Sequence, residues 1–265
     1  LGFNKNCFCP HYGSTEVQAA IAKEPGKPVE FFELDTCELE KGKAVRVEGE
    51  GKGRIVACCG IPRPDITIKI VDVDNKRIKG ENEIGEIWIK AEGVSPGYFG
   101  KQKETEEVFN QYLEETGENG FNRTGDLGFF ENEKLYIVGR EKDIIIVHGK
   151  NFSPIEIERT IKKYLPELTL STVIFSCEES GREHIILVQE LDNAENDNFY
   201  IRLESEIKSV VSKYYAIRLD NIVFVKKGEI PRSSIGKIKK KECIKAYQNS
   251  KMQVLFQSKR KQIRK

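Results

Sequence analysis

No run in this 265-residue sequence approaches the roughly 18 apolar residues of a bilayer-spanning helix, and its opening residues lack the basic-then-apolar order of a secretory signal. Histidine is scarce. His11, His148 and His184 are the only three, and the seven cysteines are scattered as the pairs Cys7/Cys9 and Cys58/Cys59 and the single Cys37, Cys177 and Cys243. Neither zinc-ligand spacing nor a disulfide framework emerges from them, so the expectation is reduced thiols in a cytoplasmic protein. The glycines nowhere form GxGxxG, which leaves a dinucleotide-binding domain unsupported. No internal repeat is visible. The first residue is Leu1, and the residues after it already read as folded-domain sequence. The expectation is a part of a longer protein.

What is present suffices for a core. Apolar residues make up 38% of the chain, and a chain of this mass buries about 70% of its surface on folding. That excludes a wholly disordered protein. Charge is divided along the sequence. Residues 1–139 carry 18 basic and 25 acidic side chains, and residues 140–265 carry 25 and 17. From Arg218 to the end there are 15 basic residues against 3 acidic. Opposite signs suit two domains facing each other across an anionic ligand, or a basic end that touches nucleic acid or membrane.

The first part reads as short strands. Residues 53–59, 66–71 and 85–90 are β-rich, the latter two alternating, with glycines and prolines between them. Residues 101–113 read as an amphipathic helix with Thr105, Val108, Phe109 and Tyr112 inward. Residues 127–130 and 134–138 read as a hairpin. After Gly139–Arg140 the pattern changes to strand (143–147), helix (154–165), two strands (171–176, 184–189), helix (199–214), strand (222–225) and helix (238–248). Ser153 is the expected N-cap of the first helix, with Pro154 in its first turn. Residues 257–265 are expected to be frayed. This β-α-β-β-α-β order with a closing helix predicts a small α+β domain behind a β-rich one.

Four segments concentrate chemically useful side chains. YGSTE (12–16) sets an aromatic ring, two hydroxyls and a carboxylate within five residues. It suits either a strand-to-helix turn capped by Ser14 or Thr15, or a site where Tyr12 stacks on a base, Ser14 and Thr15 meet phosphate and Glu16 meets Mg²⁺. RTGD (123–126) places Asp126 on a tight glycine turn, as an ordinary turn acid or as an acceptor for two vicinal hydroxyls. GREKD (139–143) is a solvated linker or a hinge, with Arg140 on a sugar or phosphate oxygen and Lys142 at the pivot. IPRSSIGK (230–237) is a basic surface loop or a carrier of one ammonium, Lys237, to a reacting anion. Its spacing is not that of a P-loop. His148 reads as a surface turn residue, and Trp88 and Tyr98 as core or interface packing.

Taken in this order, the four segments resemble the C-terminal half of the acyl-adenylate-forming (AMP-binding) enzyme superfamily. YGSTE is similar to its adenine- and magnesium-binding signature and RTGDLG (123–128) to its ribose-binding signature. GREKDIIIVHGKNFSPIEIE (139–158) is similar to its hinge and small-domain opening, and IPRSSIGKIKK (230–240) to its catalytic-lysine loop. Within the superfamily the chain most resembles the fatty acyl-AMP ligases, which carry extra sequence where residues 29–53 stand here. In those ligases that element is associated with weak use of CoA.

The resemblance implies an α+β fragment. Residues 1–139 would be the β-rich end of the large domain, and residues 140–265 the small mobile domain, hinged near Lys142. It also implies roles. Tyr12 stacks on adenine, with Gly13 and Ser14 beside it. Thr15 meets the α-phosphate, and Glu16 holds Mg²⁺. Asp126 holds the ribose hydroxyls with help from Arg140, and Ile137 packs nearby. Lys237 bridges the carboxylate and α-phosphate oxygens. The implied reaction joins a fatty acid to ATP as acyl-adenylate, releases pyrophosphate, and passes the acyl group to a carrier-protein thiol. The acceptor would be an acyl carrier protein or a carrier domain of a polyketide or peptide synthase. The alternatives are transfer to CoA and, more distantly, a basic nucleic-acid-binding module. The family's glycine-serine-threonine phosphate loop and most of its acyl pocket are expected in an N-terminal portion that this sequence does not include, so the fragment alone is expected to be inactive.

Overall fold

Strand pairing organises both parts of the chain in this computed structural model, which describes residues 2–47, 53–147, 150–179, 182–193 and 196–258. Contacts divide the chain into two units, 1–142 and 143–265.

The first unit is built from β1 (His11–Ser14), β2 (Gln18–Ala22), β3 (Phe31–Leu34), α1 (Thr36–Glu40), β4 (Arg54–Pro62), β5 (Ile66–Val71), β6 (Gly85–Ala91), α2 (Gln102–Val108), β7 (Asn122–Glu131) and β8 (Lys134–Arg140). Its antiparallel sheet runs β1-β2-β4-β8-β7-β6-β5, with β3 also on β4. Alternation explains the packing. Ile66, Ile68 and Ile70 of β5 and Ile87 and Ile89 of β6 join Ile21, Leu135 and Tyr12 in one apolar cluster. Trp88, on the opposite face of β6, packs with Val71, Leu113 and Phe121 in another. The β7–β8 hairpin closes through Asn132 and Glu133, both with left-handed φ (50° and 63°), the twist that two-residue hairpins favour. Of residues 29–53, β3 lies on β4, and Asp35 caps α1 by accepting from the Cys37 and Glu38 amides.

The helix expected over 101–113 is shorter. It stops at Val108 because Asn110 turns left-handed (φ 52°) and Gln111 pairs with Phe121. Phe109 is still buried, but Tyr112 is exposed.

A short 3₁₀ turn (Glu141–Asp143) spans the end of the first unit and the start of the second. The second unit then contains β9 (Ile145–Val147), β10 (Lys150–Phe152), α3 (Pro154–Tyr164), β11 (Thr172–Glu179), β12 (Arg182–Leu191), α4 (Asp197–Tyr215), β13 (Asn221–Lys226), α5 (Lys240–Gln248) and β14 (Val254–Gln257). The sheet order is β11-β12-β13-β14, with β12 and β13 parallel across α4. Strands such as Ile185–Val188 in β12 and Ile222–Val225 in β13 are apolar at every position because both sheet faces are covered. Ile174, Leu187, Ile222 and Phe224 face α3 and α4, and Val173, Ile186, Val188 and Val223 face α5 through Cys243. Two local expectations are corrected. Ser153 precedes α3 but makes no side-chain cap, and the Glu156 amide bonds its carbonyl instead. Gln257, the first residue of the segment expected to be frayed, ends a strand over 254–257 that pairs with β13, and residues 259–265 of that segment lie outside the described residues. None of the seven cysteines, all of them described residues, forms a disulfide. His148 lies outside the described residues.

One buried acid in this unit gives a stability prediction. Glu158 on α3 accepts the Ile174 amide at 3.0 Å, and burial pushes its carboxyl up to about 7 despite Lys240 and Lys162, with Asp143 adding to the rise. Burial also lowers Lys240, whose ammonium stands 3.9 Å from Asp143. Between the ordinary carboxyl range and pH 7 the folded state therefore holds a proton that the unfolded state has released. Stability falls as pH rises through that window. Glu158→Gln keeps the acceptor for Ile174 and removes the charge. It is expected to be near neutral at pH 4.5 and to stabilise the second unit at pH 8 by on the order of 2–3 kcal/mol. Thermal melts at the two pH values check this, and an equal or lower melting temperature for the variant at pH 8 contradicts it.

Candidate active site

Tyr12, Asp126 and Arg140, far apart in sequence, meet on one sheet. Tyr12 lies at an irregularity in the β1–β2 ladder, where the register shifts between Tyr12 and Gly13. Its ring is only 6% exposed, and its hydroxyl donates to Asp126 Oδ2 at 2.8 Å. Burial, then the Asp126 charge, pushes the phenol far up, so Tyr12 stays a donor. Arg140, paired with Asp126 across β7–β8, donates from Nε to Oδ1 at 2.5 Å. Each carboxylate oxygen thus holds one donor and keeps a lone pair for another. The Asp126 side chain is 14% exposed and that of Arg140 54% exposed, so the pair opens to solvent on the arginine side. Ile137, half-buried on β8, packs on the cluster that holds Tyr12.

Glu16 follows in the turn between β1 and β2. This segment joins two strands and not, as one reading of the sequence had it, a strand to a helix. Tyr98 donates its hydroxyl to Glu16 Oε1 at 2.7 Å and packs edge-on against Phe109. Burial raises the Glu16 carboxyl, but the Tyr98 hydroxyl, its own backbone amide, the Ser14 hydroxyl and the Arg140 charge outweigh this and hold it below the usual range. Ser14 Oγ is buried near Glu16 without a hydrogen bond of good geometry. Gly13 and Thr15 are exposed. An ionised carboxylate beside two hydroxyl-bearing residues fits a hard cation such as Mg²⁺, which takes one or two protein carboxylates and completes its shell with phosphate and water. Among the described residues no cluster of three or more ligating side chains forms a self-sufficient metal centre.

Lys237 belongs to the second unit, on a loop that is fixed in place. The Ser233 amide donates to the Lys237 carbonyl at 2.8 Å, the Gly236 amide donates to the Ser233 carbonyl at 2.9 Å, Ser233 Oγ accepts the Lys237 amide at 3.1 Å, and Gly236 (φ 80°) supplies the left-handed step. Buried Glu190 holds the approach to the loop. It accepts the Gly228 and Ile230 amides at 2.9 and 3.0 Å and faces Arg232, which also bonds Ser171 and the Gly236 carbonyl. The Lys237 side chain is exposed, and its ammonium pairs with no described carboxylate. Lys142 falls within the 3₁₀ turn. Sequence reasoning missed Glu86, Tyr98 and Glu190 as partners of these segments. For Glu86 and Glu190 the available signal was an acid inside each of two largely apolar strands, in GEIWI and LVQEL.

Residues 3–99 match the family model described as AMP-binding enzyme, and residues 142–257 the model described as Disco-interacting protein 2-like, AMP domain. A medium-chain-fatty-acid–acyl-carrier-protein ligase, JamA, of Moorena producens is 34% identical over 249 residues, covering 92% of this chain and 42% of the relative. A long-chain-fatty-acid–AMP ligase of Mycobacterium tuberculosis is 32% identical over 251 residues, covering 91% and 42%. Among solved structures, one from work on fatty acyl-adenylate ligases of E. coli and L. pneumophila superposes with a TM-score of 0.76 at 27% identity, covering 94% of this chain and 43% of that one. The chain thus spans about two fifths of the length of the curated relatives it matches.

Proposed function

Since this chain belongs to the AMP-binding, adenylate-forming enzyme superfamily, with its likeness among the fatty acyl-AMP ligases, we propose that it supplies the ribose-binding wall and the lysine-bearing domain of an enzyme that activates fatty acids with ATP. The observation that carries this reading is the Asp126 carboxylate, with one donor on each oxygen and a further lone pair on each to accept a sugar hydroxyl. Tyr12 and Arg140 hold that carboxylate in place through their hydrogen bonds, and the Tyr12 ring with Gly13 and Ser14 lines the place for adenine. Thr15 stands at the α-phosphate and Ile137 beside the sugar.

Glu16 is the residue here that would hold Mg²⁺, which neutralises phosphate charge when bound. The fatty-acid carboxylate attacks the α-phosphorus, the P–O bond to pyrophosphate breaks, and acyl-adenylate forms. No side chain need exchange a proton in that step, so placement and charge stabilisation carry it. Lys237 places its ammonium against the carboxylate and α-phosphate oxygens as charge moves between them. The turn around Lys142 is the hinge that brings it in and takes it away. In the second step a carrier-protein thiol attacks the acyl carbon, and AMP leaves.

Support for a carrier thiol over CoA as acceptor lies in residues 29–53, the place where fatty acyl-AMP ligases carry extra sequence, whose described part includes β3 paired with β4 and the helix α1. The test supplies the ligase containing this chain with ATP, a fatty acid, CoA and a phosphopantetheinylated carrier protein together. Acyl-carrier thioester is expected to dominate, and predominant acyl-CoA overturns the acceptor assignment.

A further inference from the structure

We propose that Glu86 is the positioning residue for Asp126, setting the direction of the carboxylate through a bulge in β7. This rests on the ribose-binding reading of Asp126. The ladder between β6 and β7 pairs Glu86 with Leu127 and then Trp88 with Arg123. Thr124, Gly125 and Asp126 therefore stand opposite Ile87 alone and bow out of the sheet. Such a bulge strands backbone groups that a ladder would satisfy. Glu86 Oε1 takes the Gly125 amide at 2.9 Å, and Thr124 Oγ1 donates to the Ile87 carbonyl at 2.7 Å and accepts the Asp126 amide at 3.1 Å. Glu86 Oε2 takes Arg123 Nε and Trp88 Nε1, each at 2.8 Å.

The strand itself does not call for this acid. Glu86 is 1% exposed, in a strand whose next three residues, Ile87, Trp88 and Ile89, are apolar and buried, and its carboxylate ties together donors from β6 and β7. What the carboxylate adds is direction. It holds Gly125 in its left-handed conformation (φ 69°), the step that turns Asp126 out toward the Tyr12 hydroxyl and Arg140. Its third donor belongs to the only tryptophan of the chain, so the network carries its own optical reporter.

The test compares binding of 5′-AMP and 2′,3′-dideoxy-AMP to the chain and to Glu86→Gln and Asp126→Asn, by calorimetry, with Trp88 emission and near-ultraviolet circular dichroism read alongside. The unsubstituted chain is expected to prefer AMP, and Glu86→Gln to lose most of that preference, about tenfold, while Trp88 signals a changed environment. A purely structural role would weaken both nucleotides alike and leave their ratio unchanged, and that result overturns the proposal. Glu86→Asp, which keeps the charge but withdraws it by one methylene from the Gly125 amide, is the second variant should Glu86→Gln not fold, and the same loss of preference is expected. Asp126→Asn separates the two readings. If it keeps the preference, or if the unsubstituted chain has none, the ribose reading of Asp126 fails and takes this proposal with it. If it loses the preference while a folded Glu86 variant keeps it, only the positioning role fails.

Discussion

Replacing Lys237 with alanine is expected to slow fatty-acid-dependent ATP–pyrophosphate exchange roughly 10²–10³-fold, on the order of 3–4 kcal/mol of transition-state stabilisation. The reason lies in where the ammonium is held. Its backbone is tied to Ser233 on both sides of a short turn, and its side chain projects without a described carboxylate partner. A lysine of that kind contributes little to the fold, since surface substitutions away from special features stay within about 0.5 kcal/mol. In the proposed role its value appears only when negative charge shifts between a fatty carboxylate, the α-phosphate and departing pyrophosphate. ATP affinity should therefore change far less than the exchange rate. Transfer from preformed acyl-adenylate should be nearly unaffected, because on the proposed cycle the hinge around Lys142 has by then carried the lysine away. Exchange kinetics and single-turnover transfer check the two halves separately, and an unchanged exchange rate removes Lys237 from the chemistry.

Asp126→Ala is expected to raise the KM for ATP on the order of 10²-fold while lowering kcat less. Hydrogen bonds to a charged acceptor contribute about 1.5–3 kcal/mol each, and the carboxylate offers one free position on each oxygen for the two ribose hydroxyls. Substitution also frees the Tyr12 hydroxyl and Arg140 Nε that Asp126 now occupies. The sugar is remote from the reacting phosphorus, so the loss should fall mainly on binding. Steady-state kinetics with ATP and 2′-deoxy-ATP measure it. The variant should respond little to removal of the hydroxyl, and a variant that still discriminates as the wild type does contradicts the role.

The pairing of Tyr12 with Asp126 shows what the sequence can and cannot carry. Each residue stands out locally, one in YGSTE and one on a glycine turn, and their order along the chain is enough to identify the superfamily. That the hydroxyl lands on the carboxylate depends on the path β1-β2-β4-β8-β7 through the sheet, and no local period encodes that path. The same limit explains the element errors. Residues 101–113 have a helical stripe throughout, yet left-handed Asn110 and the bridge between Gln111 and Phe121 end the helix early. Residues 254–257 have too short a pattern to announce a strand, but an open edge of β13 gives them a partner. Strands β5 and β6 were legible because alternation between one apolar cluster and another fixes them locally. Glu86 escaped notice for a related reason. Its position in β6 is inward, and only the bulge across from Ile87 shows why an acid belongs there.

The most direct test of the account is the identity of the nucleotide product and its dependence on fatty acid, measured in the protein that carries this chain. With ATP, Mg²⁺ and a fatty acid, the account predicts AMP and pyrophosphate in equal amounts, together with exchange of labelled pyrophosphate into ATP only when the fatty acid is present. Formation of ADP and phosphate, or exchange that proceeds equally without any fatty acid, would contradict it.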